Sequence, residues 1–495
     1  LSTIKKFAGQ TAIYGISTIA SRILNFFLTP IYTKVYPLKV YGIFTEMYSY
    51  ASILNPLLSF GMETTFFRYL NKKEGQKETI YSNTFMMIAF ISAVFLFTIL
   101  AFVNPIAVWL KDATNTPLVD YVLYVKFFSF MLVIDALSVV PFARLRADGK
   151  PGRYSVLKII NILTFISLNL FFIFVIPFVI KNHFPLADFF RSWYQEKWIG
   201  YVFISNLIAS FLTLILLLPE LLKVQLKLDK KLLAEMMLYS LPIFVANLSF
   251  IVNENLDKIF LGRLLPNSIS QSQVGIYGAC GKIAIFLSIF INAFRLGAEP
   301  FFFSHAKNEN AKQTYATIMN YFVMIITLIF VGIVANIEIL KHFIRNESYW
   351  VGLDVVPILL FGYVSLGIYM NLSIWYKLSD QTRYGLYISG VGAIITIVLN
   401  LIFIPFYGYM ASAWVSLTAY TSMMILSYIL GQKNYAIPYH LKRNVIYLLS
   451  SVIVVWFSYV YFKRDLIIGN ILFILFGLII LYTERHQIKK IIANL

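Results

Sequence analysis

The sequence predicts an all-α protein that crosses a lipid bilayer about fourteen times, in two parallel six-helix repeats plus two extra helices. Three observations predict it. Of 495 residues, 59% are hydrophobic and 13% are charged, about half the charged quarter of a soluble domain. Fourteen apolar stretches each approach the roughly 20 residues needed to span a bilayer. The two halves also share motifs at a constant offset. Mean hydropathy is +0.75, which excludes a soluble enzyme, a disordered chain and a disulfide-rich secreted protein. The single cysteine, Cys280, excludes an internal disulfide. The net charge of +18 reads as basic loops on the cytoplasmic side, with no nucleic-acid partner.

The stretches centre near residues 22, 53, 93, 130, 167, 208, 251, 289, 326, 364, 395, 420, 453 and 475, and are numbered spans 1–14. Span 1 is read as a crossing and not a cleaved leader, because it is too long and contains Arg22. With the N-terminus cytoplasmic, the inner segments carry 24 lysines and arginines and the outer ones 11. That bias places both termini in the cytoplasm. No loop is long enough for a catalytic domain. The longest outer segment, 178–199, holds Phe189, Phe190, Trp193, Tyr194 and Trp198, read as an interfacial aromatic belt, with a lid or lipid-surface contact as the alternative. Lys223 to Glu235 reads either as a basic interfacial helix or as a plain linker.

Tyr41-Gly42 is followed, nineteen residues after the glycine, by Gly61-x-Glu63-x-x-Phe66-Phe67. Tyr277-Gly278 is followed at the same spacing by Gly297-x-Glu299-x-x-Phe302-Phe303, an offset of 236. The same offset pairs Arg22 with Lys258 and Pro30 with Pro266. Further on, Leu168-Asn169-Leu170 matches Leu399-Asn400-Leu401. Matches in the same order indicate a repeat. Six spans per repeat bring both in from the same side, related by an axis along the membrane normal. The expected organisation is an N-lobe at 1–219, a linker at 220–236, a C-lobe at 237–431, and spans 13–14 with a tail at 432–495. Two similar lobes are the architecture of an alternating-access transporter.

The 6+6+2 arrangement resembles the MOP exporter superfamily of MATE drug exporters, MurJ-type lipid II flippases and Wzx/PST-type polysaccharide flippases. The Wzx/PST group is most similar. Its resemblance rests on Ser21-Arg22-Ile23-Leu24-Asn25 through Pro30 and Tyr32 to Tyr41-Gly42, and on Arg144 to Tyr154. It also rests on Tyr277-Gly278, Ala298-Glu299-Pro300-Phe301 and Trp375-Tyr376-Lys377. The resemblance implies transfer of an undecaprenyl-pyrophosphate-linked oligosaccharide from the inner to the outer leaflet of a bacterial plasma membrane. It implies a multi-pass monomer whose partners are membrane lipid and the polysaccharide polymerase machinery.

An ionisable residue at membrane depth belongs in the bundle interior or a wet cavity. Arg22, near the midplane, is the first candidate, since a guanidinium fork matches phosphate oxygens; the alternative is an ion pair that holds helices together. Lys282 and Arg295 in span 8 lie about 20 Å apart along the helix and, on one face, would form a cationic track. Arg295 has Glu299 as a rival partner at i+4, and Lys282 aligns with Glu46 as a candidate bridge between lobes. Lys126 is a weaker cationic candidate. Span 7 holds Asn253-Glu254-Asn255-Leu256-Asp257-Lys258, where Glu254 suits ion coupling or sugar hydroxyls. Asp257 reads as neutralising Lys258 or Arg22. Asn25 is a polar candidate in span 1, and Glu63 and Glu299 read as structural or gating groups.

The five histidines fall between spans with no metal-ligand spacing, and no phosphate-binding loop motif occurs. No cofactor is expected, and the sequence leaves H⁺ and Na⁺ coupling both open. A drug exporter, a lipid II flippase and a membrane polymerase or ligase are the rival readings. The cationic candidates argue against the first, and the repeat argues against the last.

Overall fold

The computed structural model describes residues 24, 26–73, 75–111, 116–225, 228–306, 308–379 and 381–493, with the backbone only at 71, 296, 300, 304 and 486–493. Arg22, Asn25 and the centre of span 1 lie outside the described residues. Eleven described helices are long and apolar enough to cross a membrane. They are Lys77–Ala101, Leu118–Ala147, Pro151–Lys181, Lys230–Leu264, Ser270–Phe303, Ala311–Ala335, Val355–Leu378, Arg383–Tyr407, Tyr409–Asn434, Leu441–Tyr461 and Leu466–Arg485. Leu38–Ser59 supplies span 2 and Gly200–Leu216 span 6. Every predicted centre except the first falls on one of these helices. The end rich in lysine and arginine is called the inner end below.

Local chemistry sets the boundaries. Pro37 and Pro117 precede spans 2 and 4 in extended conformation, and Pro151 sits in the first turn of span 5, where its missing N–H costs nothing. Asp229 caps span 7, its carboxylate accepting from the Leu232 amide at 3.0 Å. The expected linker is therefore not one segment: from Lys230 onward it is the first turns of a 35-residue helix. Pro177 interrupts span 5, and the turn before it, Phe171–Val175, widens to a π-helix. Gly408, at φ 56°, makes the whole turn between spans 11 and 12. His305 and His486 sit near the ends of helices rather than in loops.

The chain forms two compact units, Leu1–Gly275 and Ile276–Leu495. In the first, span 7 packs along span 2, and spans 4, 5 and 6 pack on one another. In the second, spans 10, 11 and 12 form one layered core, and span 9 packs on spans 10, 13 and 14.

The repeat is visible in side-chain pairing. In the first unit Glu63, at the inner end of the span 2 region, accepts from Arg146 at the end of span 4 at 2.5 Å. In the second, Glu299 at the end of span 8 accepts from Lys377 at the end of span 10 at 2.6 Å. The motif glutamates thus make the same intra-unit ion pair, between equivalent helices. The repeat is also broken: Phe60 and Gly61 are left-handed (φ 47° and 68°) and split span 2 from Met62–Lys72. Their partner Gly297 lies inside a continuous helix.

The basic run from Arg144 to Arg153 ties the inner end of the first unit together. Arg144 is buried, grips both Glu78 oxygens at 2.6 and 2.7 Å, and lies 4.4 Å from the Tyr81 ring. Arg153 donates to buried Glu220 at 3.0 Å. Asp148 accepts from Lys77 and is flanked by Arg144 and Lys150. Burial pushes the Asp148 carboxyl up, but the Lys77 hydrogen bond and the three cations outweigh it and hold it below its usual value. A depressed carboxyl stabilises the fold above its unfolded pKa of about 3.9, and that contribution is lost as pH falls through the folded pKa. The melting temperature should therefore fall from about pH 5 to about pH 3 in part through this group. Asp148→Asn should be less stable at neutral pH and show a shallower acid dependence in that window. An unchanged acid slope in the variant would contradict the assignment.

Candidate functional site

A buried ion pair of the first unit lies toward its outer end. Glu46 of span 2 takes the guanidinium of Arg263, near the end of span 7, through Nη2 at 2.6 Å and Nε at 2.8 Å. Its second oxygen accepts from Gln271, in the first turn of span 8, at 2.5 Å. Tyr50 donates to the same carboxylate at 3.3 Å. Arg263 also donates to the carbonyls of Trp109 and Leu110 at 2.7 and 3.2 Å, and lies 4.7 Å from the Trp109 ring. Side-chain exposure is 4% for Glu46 and 17% for Arg263. All three guanidinium nitrogens and both carboxylate oxygens are hydrogen-bonded, the condition under which a buried ion pair holds. Two glycines permit it. A Cβ on Gly262 would meet the Glu46 carboxylate at 2.6 Å, and one on Gly42 would collide with the Gln271 backbone carbonyl.

Span 7 meets the span 2 region again toward the inner end, with different chemistry. Phe60 stacks on Phe244 at 4.7 Å, and Arg68 lies over the Tyr239 ring at 4.1 Å. Lys73 and Glu235 pair at 2.9 Å with 28% and 41% exposure. The outer contact is buried and charged, whereas the inner one is aromatic with an accessible ion pair that salt screens.

The predicted candidates resolve as follows. Asp257 neutralises Lys258 at 3.0 Å, one of its two expected partners, and Lys258 also donates to the Glu254 carbonyl at 2.7 Å. Asn253 is buried on the same helix. Lys282 and Arg295 lie on one continuous helix. Thirteen residues at 100° each turn them about 140° apart, so the single-face track is not formed. The i+4 pair of Arg295 with Glu299 is also not formed, because Lys377 takes Glu299. Arg295 is exposed and makes no ion pair among the described residues. It lines a cavity of about 20 Å³ with Glu299, Asn371 and Lys377, room for about one water. Glu46, the repeat partner of Lys282, is held by Arg263 instead. Lys126 lies in span 4 of the first unit. The described residues contain no cluster able to hold a metal.

Sequence reasoning missed two features. One is Glu46–Arg263–Gln271, since Arg263 counted only as an outer-segment cation. The other is a groove of about 760 Å³ between spans 13 and 14. Val454, Leu472, Leu475, Phe476 and Ile479 line it, and His440, Lys442 and Arg443 stand at its inner mouth. Beside it, buried Glu484 accepts from Tyr447 at 2.5 Å and pairs with Arg443 at 3.2 Å.

Removing one member of a buried pair leaves the other charge unneutralised, which costs about 3–5 kcal/mol, whereas replacing both by apolar groups is often neutral. Arg263→Ala should therefore lower the thermal stability of the purified protein far more than Arg191→Ala at an exposed pair. Glu46→Leu with Arg263→Met should recover most of the loss. Equal effects of Arg263→Ala and Arg191→Ala on the melting temperature would contradict the role given to this cluster.

With this geometry in hand, comparison with known proteins is informative. A family described as polysaccharide biosynthesis protein matches residues 7–304, more than half of the chain. The MatE family matches residues 242–402. Among solved structures the chain is similar to a lipid II flippase MurJ in an inward closed conformation, with TM-score 0.71, 14% identity, and 96% of this chain and 100% of that one covered. It is similar to the MATE multidrug transporter DinF-BH, with TM-score 0.61, 19% identity and coverages of 88% and 96%. An inward-facing multidrug resistance MATE family transporter of the MOP superfamily gives TM-score 0.60 and 12% identity, with coverages of 86% and 94%. At these identities the likeness is one of fold. A search of the curated proteins finds no match. The chain is a multi-pass membrane protein that belongs to the polysaccharide biosynthesis protein family and has the fold of MOP-superfamily transporters.

Proposed function

We propose that the protein is a secondary transporter that flips polyprenyl-pyrophosphate-linked oligosaccharide units across the bacterial plasma membrane, from inner to outer leaflet, by alternating access. The observation that carries this reading is the family match, in a chain of which 96% shares a fold with a protein named a lipid II flippase. The groove between spans 13 and 14 supports it. Its apolar walls suit a polyprenyl tail and its basic mouth suits the phosphates. Arg22, Lys282 and Arg295 are the cations proposed to meet the pyrophosphate in transit, and Glu254 the group proposed for H⁺ or Na⁺ coupling. The substrate is anionic, so an inside-negative potential drives it outward by about 2.3 kcal/mol per charge per 100 mV.

The protein works as a monomer with both termini cytoplasmic, uses no cofactor, and hands its product to the polymerase machinery.

The test is glycan export in a host lacking its own flippase, normalised to membrane protein level. Arg22→Ala should abolish export, and Arg22→Lys should lose most of it, because an ammonium does not supply the bidentate fork. Near-normal normalised export by Arg22→Ala would end the phosphate-grip assignment. Failure of the wild type to restore any glycan, together with new resistance to cationic drugs, would favour a drug exporter.

A further inference from the structure

The connection between spans 5 and 6 has no counterpart in the second repeat. From Asn169 to Gly200 the first repeat takes 31 residues, and from Asn400 to Gly408 the second takes 8. The insertion is ordered from within. Tyr194 and Tyr201 stack at 5.2 Å and 6°, and Tyr201 stacks on Phe172 at 4.7 Å and 12°. Tyr194 donates to the Phe172 carbonyl at 3.0 Å, and the Gln195 amide donates to the Tyr201 hydroxyl at 2.8 Å. This stack is a base on which Trp193 packs, 6.4 Å from Tyr194 and 6.3 Å from Tyr201, with Phe190 against Trp193 at 5.8 Å.

What the base presents is apolar. Phe178, Phe184, Leu186, Phe189 and Trp193 are all exposed. Leu186 is the most exposed of these. Its backbone is left-handed at φ 76°, a conformation unfavourable for any residue with a Cβ, and its side chain is 67% exposed. In water both features are unfavourable. In an apolar surrounding the second becomes favourable and offsets the first. The patch also continues the exposed apolar surface of span 5, formed by Leu163, Phe174 and Val175. Lys181, Arg191 and Lys197 lie among these residues, with stems long enough to reach phosphates.

We propose that the inserted segment 182–199 lies in the headgroup–acyl boundary of the bilayer, with Leu186 and Phe189 inserted among lipid chains and Trp193 at headgroup level. A lipid surface fits better than a sugar or a protein. Sugar stacking needs open tyrosine or tryptophan faces, and here the Tyr194 and Tyr201 faces cover each other, while exposed Trp193 stands among phenylalanines. The side chains left open are mainly phenylalanine and leucine, on a surface continuous with the membrane-facing side of span 5. The segment thereby fixes the depth of spans 5 and 6 while other helices move. This inference does not depend on the identity of the transported molecule.

Cys280 is buried, so a cysteine introduced at Leu186 or Phe189 is the site a thiol dye reaches. Full-length Leu186→Cys and Phe189→Cys proteins, each labelled with an environment-sensitive dye, are placed in phosphatidylethanolamine–phosphatidylglycerol vesicles. Expected are blue-shifted emission, several-fold protection from aqueous iodide, and stronger quenching by nitroxide near the headgroup than near the chain end. Arg191→Cys is the less protected comparison. Full iodide quenching at both positions, with no quenching by nitroxide lipid, would overturn the proposal. Protection that arises only on adding lipid-linked oligosaccharide or a second protein would also overturn it, in favour of that occupant.

Discussion

A carboxylate inside a bilayer must be neutralised, and Glu46 shows what that requirement costs the rest of the fold. Two nitrogens of Arg263 and the amide of Gln271 reach it within 2.8 Å. Such an approach requires the backbones of spans 2, 7 and 8 to come close, which requires glycine at positions 42 and 262. The pair therefore fixes where span 7 lies along span 2. It also explains why span 7 belongs to the same compact unit as the first repeat although its sequence belongs to the second. The same requirement organises the inner end, where Arg144, Arg146 and Arg153 each find a carboxylate on another helix.

How far this was legible depends on the physics each residue obeys. Spans follow from apolar length, a property of each segment alone, and every described one stands where hydropathy puts it. The repeat is written in Glu63 and Glu299, and its physical meaning is the ion pair each makes within its unit. Pairing is different, because it depends on three-dimensional neighbours. Glu46 aligns with Lys282 in the repeat yet binds Arg263. Arg295 has Glu299 one turn away yet loses it to Lys377, which approaches from the end of span 10. The basic run after span 4 carries part of the family resemblance, and Arg144, Arg146, Asp148 and Arg153 are occupied in holding helices together. Arg22 and Asn25 lie outside the described residues, so their roles rest on the sequence.

The two repeats are alike in topology and unlike in detail. Asn169 is satisfied by the Tyr32 hydroxyl at 2.8 Å. Its counterpart Asn400 keeps a buried side-chain oxygen without a partner among the described residues. Span 2 breaks at Gly61, while span 8 runs through Gly297. The outer insertion exists only in the first repeat.

The central claim is that this protein moves a lipid-linked glycan between leaflets, and the direct measurement is made on the purified protein in vesicles. A polyprenyl-pyrophosphate oligosaccharide carrying a fluorophore is loaded in one leaflet, and its arrival in the other is read with a membrane-impermeant quencher. The account predicts arrival only in vesicles containing the protein, and faster arrival when the destination side is positive. Folded protein that leaves the labelled glycolipid in its original leaflet at every potential, while exchanging a cationic dye, would contradict it.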